Sequence, residues 1–465
     1  MTELTISLET GSGRPLYEQI YHHIKTEILN GGLPFQKRLP STRKLAQYLQ
    51  VSRSTVDMAY EQLLSEGYIE SIPCRGYFVS ELDGIYKGVV QEKGEVRRAE
   101  TKKEHYRFDF SPNGVDLDSF PHNAWRKLSR AILQADEKEL FMLGEPAGEP
   151  ELRNTIAAHL HQSRGVNCLP EQVVVGAGTD YLLMLLQAVF GEKRSIAMEN
   201  PTYKKAYRVL ENLGNSMQVI DMDRSGINVE KLEASGAEIA YVMPSHQYPL
   251  GTVMPIKRRL ELLKWADGSE RRYIVEDDYD SEFRYKGKPI PALQGYDSHG
   301  KVIYIGTFSK SIAPAIRVSY LVLPEKLLRL YEERGTAFSS TVSRVDQRIV
   351  AGFLKEGYYE RHLNKTRAMY KSRHDTLIDE LKPLMGMCSI SGEHAGVHLL
   401  LHFQNNKTEK ELIAQAKKGS VRVYGLSDYC IKKEKKVNAT ILLGYANLSE
   451  KQIKDAVRIL VSCWK

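Results

Sequence analysis

The chain has 465 residues, 42% hydrophobic and 26% charged, with a formal net charge of +7, an ordinary balance for a soluble globular protein long enough for two or more domains. The longest apolar stretch, Tyr181 to Phe190, is too short to span a bilayer, and Met1 to Thr10 lacks the apolar centre of a secretory leader. Five scattered cysteines (Cys74, Cys168, Cys388, Cys430, Cys463) without a Cys-x-x-Cys pair point to a reducing cytoplasm, with no disulfide framework and no structural metal.

Leu16, Ile20, Ile24 and Ile28 recur every four residues and predict a helix with one apolar face, ended by Gly31-Gly32. Ser41 is placed to cap a second helix carrying Leu45, Ala46 and Leu49. After a tight turn at Gln50-Val51, Ser52 caps a third with Val56, Ala59 and Leu63 inside. Two helices so closely joined fit a helix-turn-helix whose second member would expose Arg53, Ser54 and Thr55. Tyr68 to Ile72 and Tyr77 to Ser80 read as a hairpin, a wing with Arg75 at its tip. Residues 1–80 carry as many acidic as basic side chains, yet Ile28 to Val56 holds Lys37, Arg38, Arg43, Lys44 and Arg53 and no acid. A local basic face on a neutral domain suits a DNA reader, or an ordinary solvated surface.

These segments resemble the GntR-type winged helix: Leu39 to Ala46, Val51 to Val56, Gly67-Tyr68 and Arg75 to Val79 carry the likeness. The resemblance implies that Arg43, Ser52, Arg53, Ser54 and Thr55 face DNA, and that Lys37, Lys44 and Arg75 hold phosphate or the minor groove. Residues 1–82 are therefore expected to form an α+β DNA-binding domain. Residues 83–105, where Lys and Arg alternate with Glu, read as a solvated linker.

From Tyr106 strand-like runs alternate with helical patterns. Candidate strands are Val173 to Val175, Ser195 to Met198, Ile239 to Met243, Tyr273 to Glu276, Val302 to Ile305 and Val318 to Val322, which predict a mainly parallel sheet covered on both faces. After about Pro324 the pattern changes, with strands expected at Val397 to Phe403 and Thr440 to Leu443. An α/β large domain of about 106–324 and a smaller α+β domain of about 325–465 are expected within 106–465.

Chemistry concentrates at the ends of the predicted strands. Lys310 follows Val302 to Ile305, Asp277 and Tyr279 follow Tyr273 to Glu276, and Gly178-Thr179 open the helix after Val173 to Val175. Tyr203 offers an aromatic face; Ser309 and Arg317 offer a hydroxyl and a guanidinium. Singly these are a surface lysine, an acidic cluster and a glycine-rich turn. Together they supply what pyridoxal 5'-phosphate needs: a Schiff-base amine, a carboxylate for the pyridine nitrogen, a stacking ring and phosphate donors.

Their order and spacing resemble the fold-type I aminotransferase superfamily from about Asp109 onward. The resemblance implies an internal aldimine at Lys310 and Asp277 on the ring nitrogen. It places Tyr279 and the Ser245-His246-Gln247-Tyr248-Pro249 loop at the ring oxygen, Tyr203 in a stack, and Gly178, Thr179, Ser309 and Arg317 on phosphate.

The two halves in this order resemble the MocR subfamily of GntR regulators, on Pro244 to Gln247, Gly251-Thr252, Glu276 to Phe283 and Gly306 to Ser311. That resemblance implies a cytoplasmic, head-to-tail homodimer that binds double-stranded promoter DNA. It would sense an amine or amino-acid effector through an external aldimine at Lys310. Lys205 and Asp428 stand where the subfamily's GABA-responsive member has effector-binding arginines; Asp428 would repel a carboxylate, so GABA does not follow as the ligand. Leu143 replaces the tyrosine that active aminotransferases place before the Gly144 to Gly148 loop, which points to regulation rather than turnover. Two alternatives stay open: an active aminotransferase with an accessory DNA-binding domain, and a regulator that senses the cofactor itself to control vitamin B6 synthesis.

Overall fold

The computed structural model describes residues 6–9, 13–82, 105–134, 138–285, 290–393, 395–404, 407–432 and 439–465. The chain forms two compact units, residues 1–103 and 104–465. The expected linker lies outside the described residues except for His105.

In the first unit the four-residue apolar spacing becomes α1 (Leu16–Leu29), with Ile20, Ile24 and Ile28 buried. Helix α2 (Thr42–Leu49) starts at Ser41, whose hydroxyl accepts the Lys44 N–H; α3 (Arg53–Ser65) starts at Ser52, which accepts the Thr55 N–H. Gln50 adopts the left-handed conformation between them, which lets two helices turn within three residues. Strands β1 (Ile69–Ile72) and β2 (Gly76–Val79) pair antiparallel, Ile72 opposite Gly76. The hairpin is therefore one residue tighter at each outer end than expected. The segment before α2 adds to it: Gln36 and Leu39 donate to the Val79 and Tyr77 carbonyls, and Val79 donates to the Lys37 carbonyl. The basic segment is thus tied to the wing by backbone hydrogen bonds.

The second unit begins with β3 (Phe108–Asp109), α4 (His122–Gln134) and α5 (Pro150–Arg164). Next come β4 (Val173–Gly176), α6 (Thr179–Phe190), β5 (Ser195–Asn200), α7 (Lys204–Asn212), β6 (Ser216–Asp223), β7 (Gly226–Ile227) and α8 (Val229–Ala234). Strand β8 (Ile239–Val242), α9 (Ile256–Asp267), β9 (Tyr273–Asp278), β10 (Val302–Thr307) and β11 (Ser319–Val322) complete an eight-stranded sheet of order β4-β11-β10-β9-β8-β5-β6-β7. Strands β10, β9, β8, β5 and β6 run parallel, while β11 is antiparallel to both neighbours and β7 to β6. The central strands β8 and β9, and β4 at one edge, are buried at every residue, because helices cover both faces. Strand β6 is an edge-zone strand with mixed exposure, so its Ser-Met-Gln-Val-Ile-Asp pattern lacked the apolar run that marked its neighbours.

The chain continues through α10 (Glu325–Arg334), α11 (Arg344–Lys355), the long α12 (Tyr358–Leu381), β12 (Cys388–Ser391) and β13 (His398–Phe403). It ends with α13 (Glu409–Lys418), β14 (Val421–Arg422), β15 (Tyr424–Gly425), β16 (Thr440–Gly444) and α14 (Glu450–Trp464). The second sheet has order β12-β13-β16-β15. Packing departs from the expected division near Pro324. Leu327 and Tyr331 of α10 lie in the core under α6, and β3 pairs with β14 at the far end of the chain. Apolar packing, not chain order, sets the lobes.

Candidate functional site

One cleft at the strand ends of the large sheet is lined by Asn113, Gly178, Thr179, Asp180, Tyr203, Lys205, Asp277, Tyr279, Ser309, Lys310 and Arg317. Register explains the convergence. Strands β9 and β10 are parallel with Asp277 opposite Ile305, so their carboxyl ends, and Lys310 just beyond, open on the same crevice.

Lys310 Nζ lies 3.4 Å from Asn113 Oδ1. Burial brings its amine down from 10.5 to about 8, against the opposing pull of Asp280, which makes the neutral, nucleophilic form accessible near neutral pH. Asp277 is buried and takes a hydrogen bond from the Tyr241 hydroxyl. Burial pushes its carboxyl up to about 7 although Tyr241 opposes the shift. A buried carboxyl in that condition is one that a neighbouring cation would restore to its ionised form.

Tyr279 Oη is 3.0 Å from His246 Nδ1, and that nitrogen is 2.9 Å from both Asp280 oxygens. The buried His246-Asp280 pair therefore orients Tyr279 from behind. Tyr203 meets Tyr248 edge-on at 6.1 Å between ring centroids.

The phosphate-type donors also gather. Helix α6 begins at Gly178, whose φ of +94° suits glycine. A Cβ there would stand 2.0 Å from Arg317 Nη2, so only glycine leaves the helix N-terminus open beside the guanidinium. Arg317 bonds the Ala177 carbonyl at 3.0 Å and Asp180 Oδ1 at 2.7 Å. Ser309 Oγ is buried and has no hydrogen-bond partner among the described residues.

These features fit pyridoxal 5'-phosphate. Among the described residues the buried carboxyl has no cation beside it and the seryl hydroxyl no partner, and the glycine cradle faces an arginine.

Not every expected residue reaches the lining. His246 sits behind Tyr279. Gln247 is buried, donating to the Pro201 carbonyl at 2.8 Å and accepting from the Leu250 N–H at 3.1 Å, so it pins the loop rather than facing the cleft. Asp428 is exposed outside the lining. Sequence reasoning missed Asn113, Tyr241 and Asp180. Asn113 contacts Lys310 across 197 positions, and Tyr241 reaches Asp277 through strand pairing, so neither leaves a local signal. Asp180, next to Thr179 in the first turn of α6, was legible.

On the first unit, Arg43, Lys44, Ser52, Arg53, Ser54 and Arg75 are exposed, and Lys37 and Thr55 half-buried. The Ser52 hydroxyl also sits 2.8 Å from Ser54 Oγ and 2.7 Å from Thr55 Oγ1, so it serves the start of α3 and has little left for a ligand. Arg53 Nε lies 3.5 Å from Asp57 Oδ2. Among the described residues no helix is long and apolar enough to cross a membrane.

Comparison with known proteins gives two family matches: aminotransferase class I and II over residues 109–460, and bacterial regulatory proteins, gntR family, over residues 16–79. The uncharacterized HTH-type transcriptional regulator YdeL of Bacillus subtilis (strain 168) is 40% identical over 455 residues, 97% of each chain. The probable rhizopine catabolism regulatory protein MocR of Rhizobium meliloti is 32% identical over 472 residues, 98% of this chain and 95% of that one. Among solved structures, a multiple substrate aminotransferase from Thermococcus profundus superposes with a TM-score of 0.69 at 23% identity, covering 81% of this chain and 96% of that one; at that identity the likeness is one of fold.

Proposed function

The chain belongs to the MocR-type regulators, in which a gntR-family DNA reader precedes an aminotransferase class I and II body, and from that premise we propose that it is a pyridoxal-5'-phosphate-dependent transcription regulator that senses an amine-bearing effector. The observation that carries the reading is the convergence of Lys310, Asp277, Tyr203, Gly178, Thr179 and Arg317 on one cleft.

Bound there, the cofactor supplies an aldehyde carbon with which amines condense. Lys310 is the amine that holds it in place. Asp277, backed by Tyr241, receives the pyridinium charge. Tyr279, held by His246 and Asp280, hydrogen-bonds the ring oxygen. Tyr203 covers the ring, and the α6 N-terminus, Thr179, Ser309 and Arg317 take the phosphate. An effector amine competes with Lys310 for the same carbon, and the occupancy of Lys310 biases the state of the body that governs DNA binding.

The proposed partners are double-stranded promoter DNA, held by Arg43, Lys44, Arg53, Ser54 and Arg75, and a second copy of the chain. Phe141, Met142 and Leu143, exposed by 76%, 64% and 88%, support an interface on the body.

The test measures promoter binding by the full chain, with and without cofactor, while candidate amines are titrated and the cofactor absorbance is followed. Effector-dependent binding that vanishes in Lys310→Ala is expected. A response that survives in Lys310→Ala overturns the Schiff-base reading, and many turnovers of amino acid to keto acid would favour an aminotransferase.

A further inference from the structure

Asp180 stands between two cations of the cleft, Lys205 and Arg317. Among the described residues the cleft's lining cations are Lys205, Lys310 and Arg317. Lys310 is committed to the cofactor carbon and Arg317 to phosphate, which leaves Lys205 to receive any acidic group on an effector. Lys205 is already engaged: its Nζ lies 2.9 Å from Asp180 Oδ2, while Asp180 Oδ1 lies 2.7 Å from Arg317 Nη2. Burial works to raise the Asp180 carboxyl, but Lys205 and Arg317 outweigh it and hold the group below the usual range. Asp180 is therefore ionised at neutral pH.

We infer that Asp180 neutralises Lys205 and so makes the cleft select an effector amine without a carboxylate, a monoamine or a diamine. The inference rests on the cofactor reading above and deepens it. With Lys205 and Asp180 cancelling, the phosphate group brings the cleft to net negative charge. An entering carboxylate meets that charge with no cation of the described lining left to receive it. A neutral or positive tail does not. A bland role is also available to Asp180, since an acidic side chain in the first turn of α6 favours the helix dipole. That role alters stability but not ligand order.

The experiment uses the full chain loaded with pyridoxal 5'-phosphate and three probes of equal chain length: butylamine, 1,4-diaminobutane and 4-aminobutanoate. The readout is the change in cofactor absorbance. The wild type is expected to respond to the two amines at concentrations about tenfold below those needed for 4-aminobutanoate, the scale of one partly screened charge. Asp180→Asn is expected to improve the response to 4-aminobutanoate relative to butylamine by about five- to tenfold, whatever shift the two probes share through Arg317. Asp180→Glu, which keeps the charge, retains the wild-type order.

A wild type that prefers 4-aminobutanoate, or treats the probes alike, overturns the inference. So does Asp180→Asn shifting all three equally, which reduces Asp180 to structure or to the phosphate cup. If no cofactor band develops, or Lys310→Ala responds as the wild type does, the cofactor reading fails and takes this inference with it; a band with the wrong probe order removes only the inference.

Discussion

The two units solve recognition in opposite ways. In the first, the candidate contacts Arg43, Lys44, Arg53 and Arg75 are exposed, and the buried side chains of α1, α2 and α3 only shape the face that carries them. In the second, Asp277 is buried and Lys310 half-buried, and burial sets the protonation of both. An exposed cationic face acts through screened charge and responds to salt. A withdrawn site acts through desolvation and responds to pH. The contrast teaches that damage to one unit should leave a signature the other cannot produce.

The sharpest break comes from Lys310→Ala. It should abolish the absorbance band of the lysine-bound cofactor while the winged-helix unit keeps its fold by circular dichroism; loss of helix signal beyond the body would contradict the separation. Next is Ile24→Ala, which removes a fully buried side chain from the first unit. It should destabilise that unit by about 2–5 kcal/mol, seen as an earlier melting step, with cofactor binding by the body unchanged.

The pH dependence sharpens the comparison further. The neutral amine attacks the cofactor carbon, and burial lowers Lys310 from 10.5 to about 8. Raising the pH deprotonates it, so the rate of cofactor capture should climb through a midpoint near about 8. A midpoint at the value of a free lysine would show that the amine is not desolvated.

Ser52→Ala removes the hydroxyl that accepts the Thr55 N–H at the start of α3, at a cost of about 1 kcal/mol in the stability of the first unit. Smallest is Arg53→Ala, half-committed to Asp57. It should weaken promoter binding several-fold and lower the slope of log affinity against log salt by about 1. An unchanged slope would remove Arg53 from the phosphate contacts. Neither change should alter the absorbance of the body.

Much of this was legible from local pattern. The spacing of Ile20, Ile24 and Ile28, the caps at Ser41 and Ser52, and the apolar runs of β4, β8 and β10 follow short-range rules, since a helix face and a buried strand are defined within a few residues. Lys310, Asp277 and Gly178 were legible for a related reason: each sits where a strand ends. Where long-range packing decides, the same pattern misleads. Val318 to Val322 joined the sheet but runs antiparallel as β11, and α10, assigned to the smaller domain, packs under α6.

The sequence by itself determined the two-part architecture, the helix starts, the sheet and the lysine, carboxylate and glycine turn of the candidate site, because hydrophobic period and turn chemistry are local. Only the tertiary structure decided that Tyr241 supports Asp277, that Asn113 faces Lys310, that Gln247 braces a loop, and that Asp180 stands between Lys205 and Arg317. Those contacts depend on strand register and on segments far apart in the chain, and hydrogen bonds and charge pairs form only where folding brings their partners together.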